Sequence, residues 1–320
     1  MLSRVADSIY WMGRYIERAE NVARFIDVNL RLMLDLPLES AGQWEPFITT
    51  TGDQALFKER FGTASQENVI HFLTFDAENG NSIVSCVRAA RENARSIREV
   101  ISSEMWEQAN TFYLMVNGAS SDSRVMTAPH EFLASVKNAS HLFEGITNAT
   151  MSHGEGWHFC HLGRMLERAD KTSRILDVKY YILLPTITDV GTPFDDIQWS
   201  AVLRSASAFE MYRKRHGRIF PNQIVEFLIL DREFPRAAQY CVISANESVH
   251  AISGTPLGTF RNLPEQRLGQ LRAQLAYTQV TEIISGGLHE FLDALQGKLN
   301  SIGDAIAENF FHLEQSFHGR

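Results

Sequence analysis

Apolar residues open the chain in alternating steps of four and three: Val5, Ile9, Met12, Ile16, Ala19, Ala23, Ile26, Leu30 and Met33. Such a seam belongs to a helix packed lengthwise on another helix. With Ser3 as N-cap and Pro37 as a stop, it predicts one helix of about 50 Å at a rise of 1.5 Å per residue. The seam returns at Leu162, Leu166, Ala169, Ser173, Leu176, Tyr180 and Leu183 and ends at Pro185. Each long helix is followed by a linker (37–43 and 185–198) and then a helix starting near Trp44 or Trp199. Further helical patterns cover 67–75, 82–101, 103–117 and 129–151, and later 223–230, 236–252, 265–295 and 302–317. Glycine and proline fall mostly between these stretches, with Gly286-Gly287 and Gly254-Thr255-Pro256 reading as breaks or turns. No β-alternation of useful length appears, so the predicted fold is an all-α bundle.

A second stripe, one residue out of register with the apolar seam, carries Gly13, Glu17, Glu20, Arg24 and Asp27, with Arg14 and Arg18 alongside. It lies about 100° around the helix from the seam. Gly163, Glu167, Asp170, Arg174 and Asp177 reproduce it 150 positions later, flanked by Arg164 and Arg168. Between positions 13 and 28 eight residues match their counterparts, and five of these are Arg, Glu or Asp. Surface charges drift freely, so this retention points to a constrained polar site. The match continues from Trp44 on Trp199, through Lys58–Gly62 on Arg213–Gly217, to Phe72–Asp76 on Phe227–Asp231. After a change of register, Arg88 falls on Arg236, Ser96 on Ser244 and Glu99 on Glu247. The chain therefore reads as two homologous multi-helix halves, 1–152 and 153–320, packed as one body; the period is far longer than that of a solenoid repeat.

Bulk properties narrow the function. A hydrophobic fraction of 44% in 320 residues supplies a core, and a net charge of -8 without a lysine-rich run argues against nucleic acid as partner. Three cysteines, with no CxxC pair, suit a reducing compartment better than a disulfide framework. No signal peptide is visible and no run of about 18 apolar residues exists, so the expectation is a cytoplasmic protein without a membrane span.

The duplicated charges admit three readings. As ligand-binding residues, Arg14, Arg18, Arg24, Arg164, Arg168 and Arg174 offer planar donors to carboxylate or phosphate. Glu17, Glu20, Glu167 and Asp170 would then bind an amine or take a proton. As structure, the same groups form a buried network locking the two long helices, or a solvated face of i, i+4 pairs worth about 0.2–0.5 kcal/mol each. Gly13 and Gly163 would admit a ligand or a second backbone. A second tier comprises Asp76 and Asp231, expected to cap the turns after their apolar runs and to pair with Arg88 and Arg236, together with Glu99 and Glu247. A rival metal enzyme would use Glu155-x-x-His158 and Glu247-x-x-His250, the helical spacing of di-iron or di-manganese bundles, with Glu17 and Glu167 completing the set. No nucleophile elbow or phosphate-binding loop is present, so any ATP would be bound by another chain.

The paired Gly-Arg-x-x-Glu-Arg-Ala helices, with Phe227–Asp231, Phe234-Pro235-Arg236, Tyr10-Trp11-Met12 and Glu104–Glu107, resemble the alpha-E domain family. The resemblance covers nearly the whole chain. It implies an all-helical fold and a setting beside circularly permuted ATP-grasp and transglutaminase-like proteins. The implied function is an accessory or substrate-handling subunit of a peptide or amide ligation system. That subunit would bind no cofactor itself and recognise an anionic peptide, amino acid or protein partner. A protein-interaction scaffold is the structural alternative.

Overall fold

The computed structural model describes residues 1–35, 44–45, 48, 51–121, 125, 128–182 and 193–312, and among these the secondary structure is helical without a strand. The opening helix α1 spans Ser3–Asp35. After it come α2 (Gln54–Phe61), α3 (Gln66–Thr74), α4 (Ile83–Ser96), α5 (Ser103–Ala119) and α6 (His130–Thr150). The second long helix, α7, spans Glu155–Ile182. It leads to α8 (Pro193–Ser205), α9 (Phe209–His216), α10 (Pro221–Ile229), α11 (Ala238–Ser253), α12 (Leu263–Tyr277), α13 (Val280–Gly286) and α14 (Leu288–Ile306), which closes in a π turn at Ala307–Phe311.

Local chemistry sets several of these ends. Ser65, Ser82, Ser102 and Asn262 each accept from a first-turn backbone N–H as N-caps of α3, α4, α5 and α12, worth about 1 kcal/mol apiece. Ser3 is not a cap: it is already helical, and the Leu2 carbonyl accepts from Ala6 N–H at 3.0 Å. The helix expected near Trp199 starts earlier, at Pro193, where proline's fixed φ suits a first turn. The pattern over 82–101 ends at Ser96. The long stretch 265–295 is three helices, broken after Tyr277 and at Gly287, whose φ of 97° no side-chain-bearing residue adopts readily. Ile302 belongs to α14 and not to a separate terminal helix. The expected ends at Pro37, Pro185 and 313–317, and the side chains of Met33, Tyr180 and Leu183, lie outside the described residues.

Helix α1 packs on α7, and each gathers its own companions: α4 and α6 around α1, α11 and α14 around α7, with α8 touching both. The companions also pair in parallel fashion, α4 with α5 and α5 with α6, α11 with α12 and α12 with α14. The apolar seams fill the centre, with Ile9, Met12, Ala19, Leu162, Ala169 and Leu176 wholly buried. Trp44 and Trp199 are both buried in this core. At the crossing of α1 and α7 the backbones nearly touch. A Cβ on Gly13 would overlap the Cys160 carbonyl, and a Cβ on Gly163 would overlap the Tyr10 carbonyl. The second backbone, not a ligand, is what these glycines admit.

Candidate functional site

Both long helices carry their Glu-Arg pair into the α1–α7 contact, and the pairs clasp each other reciprocally. Arg168 donates to Glu17 from Nε (2.9 Å) and Nη2 (2.7 Å), while Arg18 donates to Glu167 from Nε (2.7 Å) and Nη2 (3.0 Å). Each is a two-pronged guanidinium–carboxylate pair, the strongest ordinary hydrogen-bonded ion contact. The carboxylates are 1% and 0% exposed, so neither meets water. Each receives further donors: Arg14 (2.8 Å) and Lys171 (3.5 Å) reach Glu167, and Arg236 (3.1 Å) reaches Glu17.

The flanking acids behave similarly. Glu20 is held by Arg24 (2.8 Å), Arg236, Ser140 (2.7 Å) and His141. Its counterpart Asp170 is held by Arg174 (2.9 Å) and Lys171 (3.1 Å) through Oδ2, while its buried Oδ1 has no hydrogen-bond partner. Two turns further, His130 meets Asp27 at 2.7 Å and His289 meets Asp177 at 2.9 Å, with Lys137 also on Asp27. Arg164 departs from the reciprocal scheme. It faces His161 and the half-buried Glu144, and its Nε has no partner.

Burial by itself raises a carboxyl's pKa, but here the cations outweigh it. Arg18, Arg14 and Lys171 hold Glu167 well below the usual carboxylate range, and Arg168 and Arg236 hold Glu17 down. Glu20 and Asp170 are lowered for the same reason, chiefly by Arg236 and by Lys171 respectively. Burial and then the Arg164 charge push His161 down to about 3, so its ring is neutral and its Nδ1 accepts from Arg164. Burial pushes the Cys86 and Cys241 thiols up to about 12 and Cys160 to about 11, which leaves all three as inert thiols at neutral pH.

The second-tier pairs need correction. Asp76 takes both prongs of Arg60 (2.7 and 2.8 Å), and Asp231 takes Arg215, so neither pairs with Arg88 or Arg236. Both acids do cap the turn that follows, accepting from Glu78 N–H and from Glu233 and Phe234 N–H. Arg88 is exposed and donates to the Ala77 carbonyl, and Glu99 and Glu247 are exposed. The contacts recur 155 positions apart without the expected register change. Ser82 and Ala237 occupy the N-cap positions of α4 and α11, and Cys86 and Cys241 reach the Gly80 and Pro235 carbonyls. The residue in Arg236's place is therefore Asn81, not Arg88.

The four metal candidates do not converge: among the described residues no group of three or more His, Cys, Asp or Glu is placed to hold a metal ion. Glu155 pairs with the Met1 amino group, His158 faces the Ser248 hydroxyl at 3.5 Å, and His250 faces the Thr255 carbonyl at 3.0 Å. Sequence reasoning missed Lys171, Asn81, Ser140, His130 and His289. Only Lys171 left a signal, standing four residues after Glu167 on the same helix.

The reciprocal clasp of two Glu-Arg pairs agrees with the family whose model matches residues 1–311, described as a predicted alpha-helical domain with a conserved ER motif. This chain belongs to the Alpha-E family. Similar curated proteins are the uncharacterized protein Mb2597 of Mycobacterium bovis and the uncharacterized proteins MT2643 and Rv2567 of Mycobacterium tuberculosis. Each is 22% identical over 334 residues, covering 95% of this chain and 36% of the relative. The chain thus spans about a third of the length of the curated relatives it matches. No solved structure matches it significantly. In this Alpha-E chain two Glu-Arg dipeptides, Glu17-Arg18 and Glu167-Arg168, form the clasp. Among the described residues, no helix is long and apolar enough to cross a membrane.

Proposed function

We propose that this Alpha-E chain is a non-catalytic helical subunit, formed by duplication of halves 1–152 and 153–320, that serves an ATP-grasp-type peptide or amide ligase in the cytoplasm. It holds an anionic peptide, amino acid or partner segment for that ligase, which itself binds ATP; a transglutaminase-like protein is a second expected neighbour. The observation that carries the non-catalytic role is the saturation of the clasp. Glu17 and Glu167, the best-placed acids, are sealed from water and spent on arginines, and a general base must reach its substrate's proton. The buried thiols offer no nucleophile either. The charges instead fix the geometry of two long helices, as a scaffold requires. The ATP-grasp connection rests on the family resemblance, an associational warrant. The match to part of a longer chain in the mycobacterial relatives supports a unit that works joined to other protein.

The test is crosslinking in the source cells, followed by affinity purification of the tagged chain and identification of what co-elutes. An ATP-grasp protein is expected. Its absence from crosslinked eluates would remove the partner, and ATP-dependent amide formation by the purified chain alone would overturn the non-catalytic role.

A further inference from the structure

Helices α12 and α14 pack on each other as α5 and α6 do, in a register displaced by 159 positions. His289 meets Asp177 as His130 meets Asp27, and buried Leu268, Leu271 and Leu275 stand where Ala109, Phe112 and Val116 do. In that register Gln108, which donates to the Ala139 carbonyl at 2.9 Å, gives way to Arg267, which donates to the Ser301 carbonyl. Lys298 stands in the place of Ala139, Gln274 in that of Met115, and Ser301 in that of Leu142. The α5–α6 seam is thus neutral and largely apolar here, whereas the α12–α14 seam is cationic and polar.

The α12–α14 seam holds a half-open groove of about 300 Å³, at the lower end of the size range of small-molecule sites. Buried Leu271 and Ile302 form its floor, and Arg267, Lys298, Gln270, Gln274 and Ser301 its polar walls. No Asp or Glu lines it. None stands three or four positions from Arg267 or Lys298 either, so neither cation has the usual partner on its own helix. Among the described residues neither forms an ion pair with a carboxylate: Arg267 donates to the Ser301 carbonyl and Lys298 to the Gln274 carboxamide oxygen. Each contact uses one donor, of the five on a guanidinium and the three on an ammonium. The two charges are also tied apart. Arg267 reaches across to α14 and Lys298 reaches across to α12. Ser301 and Lys298 are separated by about 4.5 Å of rise along α14, and Arg267 and Gln274 by about 10 Å along α12.

We propose that this groove binds a dicarboxylic amino-acid residue, as at a glutamate ending a peptide, with one carboxylate on Arg267, the other on Lys298, and the methylenes over Leu271 and Ile302. The assignment rests on the anion-holding role of the preceding section and names its substrate class. Two separated cations without acids match two carboxylates on a short carbon chain. A single phosphate group would have to draw both side chains off their anchors on opposite walls, and it has no apolar part to cover the floor. The carboxamides of Gln270 and Gln274 and the Ser301 hydroxyl supply further donors to the carboxylate oxygens.

Titration calorimetry of the purified chain at low ionic strength, with N-acetyl-glutamate, N-acetyl-glutamine and phenyl phosphate, tests this. N-acetyl-glutamate is expected to bind about five-fold tighter than N-acetyl-glutamine, since a half-exposed ion contact is worth about that factor. Lys298→Ala and Arg267→Gln each install the residue of the α5–α6 seam. Each is expected to weaken binding about five-fold, and the double variant to abolish it. Lys298 is exposed, so its variant folds whatever Arg267 contributes to the packing of α12 on α14. Arg272→Gln removes the same charge from an exposed position on α12 outside the groove and should leave binding unchanged. Absence of binding at millimolar N-acetyl-glutamate, equal affinity for N-acetyl-glutamine, tighter binding of phenyl phosphate, unchanged affinity in Lys298→Ala, or an equal loss in Arg272→Gln would each overturn the proposal. The titration needs no partner protein. Its failure leaves an ATP-grasp partnership standing, and loss of that partnership leaves the titration unaffected.

Discussion

Replacing Glu167 by Gln removes one charge from the centre of the clasp while keeping its shape. Gln can still accept at one oxygen, but its amide nitrogen then confronts a guanidinium that also only donates. Arg14 and Arg18 lose their carboxylate, Arg18 keeps Asn81, and Lys171 keeps Asp170. Breaking a buried ion pair from one side costs about 3–5 kcal/mol, since the remaining charge stays desolvated. The 16% and 14% exposure of Arg14 and Arg18 lets water recover part of this, placing Glu167→Gln near the lower bound. With an unfolding entropy of about 2.1 cal/mol/K per residue, each kcal/mol lowers the melting temperature of a chain this size by roughly 1.5 °C, so a fall of about 4–8 °C is expected. Equilibrium urea unfolding should show the midpoint lowered at unchanged slope. In a cycle with Arg18→Met the two changes should couple by at least about 1.5 kcal/mol. A loss within about 0.5 kcal/mol, the range of an ordinary surface change, or an additive cycle would refute the clasp as an energetic unit.

Gly13→Ala and Gly163→Ala should each destabilise by about 1–3 kcal/mol, because the new methyl meets a backbone carbonyl that cannot rotate away. Gly145→Ala in α6, with open space around its Cβ, should gain about 0.5–1 kcal/mol on the same urea assay; like signs at all three would refute the close crossing. Acid should act in two steps. The folded state holds His161 neutral down to about 3 against an ordinary value of 6.5, so the unfolded chain binds the extra proton and stability falls as the pH drops below about 6.5. His289, raised chiefly by its hydrogen bond to Asp177, instead adds stability as the pH falls from its folded value to about 6.5, and that contribution is complete below it. The lowered carboxyls of Glu17, Glu20, Glu167 and Asp170 contribute fully above 4.5 and are lost as the pH falls through their folded values, giving a steeper second fall. Urea midpoints between pH 7 and 3 check the shape: His161→Gln should reduce the first step, leaving the smaller part due to His158, which burial also lowers, and spare the second.

What was legible in the chain follows from what leaves a periodic trace. The seams of α1 and α7 announce both long helices, because a helix buried along one side must repeat its apolar positions. Serine caps or first-turn prolines mark the starts of α3, α4, α5, α8, α10 and α12. Within 265–295, Gly286-Gly287 reads as a break and Gly287 does separate two helices, whereas the break after Tyr277 has no glycine or proline to announce it. Within the site, the retained Glu and Arg pointed to constraint, but constraint by a ligand and by a facing helix look alike in one sequence. The pairing of Asp76 and Asp231 failed for a different reason. Arg60 and Arg215 stood at matching positions throughout, yet a chance identity, Arg88 with Arg236, shifted the register by seven and drew attention from Asn81. The histidines on Asp27 and Asp177 come from helices more than 100 positions away, and no local pattern encodes such a meeting.

The clasp is a costly way to join two helices if stability is its only role, since apolar side chains of the same volume hold buried surfaces at least as well. Its value lies in register. A four-three seam permits neighbouring helices to slide by a heptad with little change in apolar contact. Gly13 against the Cys160 carbonyl and Gly163 against the Tyr10 carbonyl allow one close crossing point, and the Glu17–Arg168 and Glu167–Arg18 pairs are satisfied only when the helices sit at that point. A slip would leave four buried charges unpaired at once, a penalty far above any gain from alternative apolar packing. The same constraint explains the ends of the clasp. With the register fixed by the centre, residues one turn away can differ between the two sides, Arg236 with Asn21 on one and Asn81 with Lys171 on the other. The fold survives because each side keeps one cation in that place.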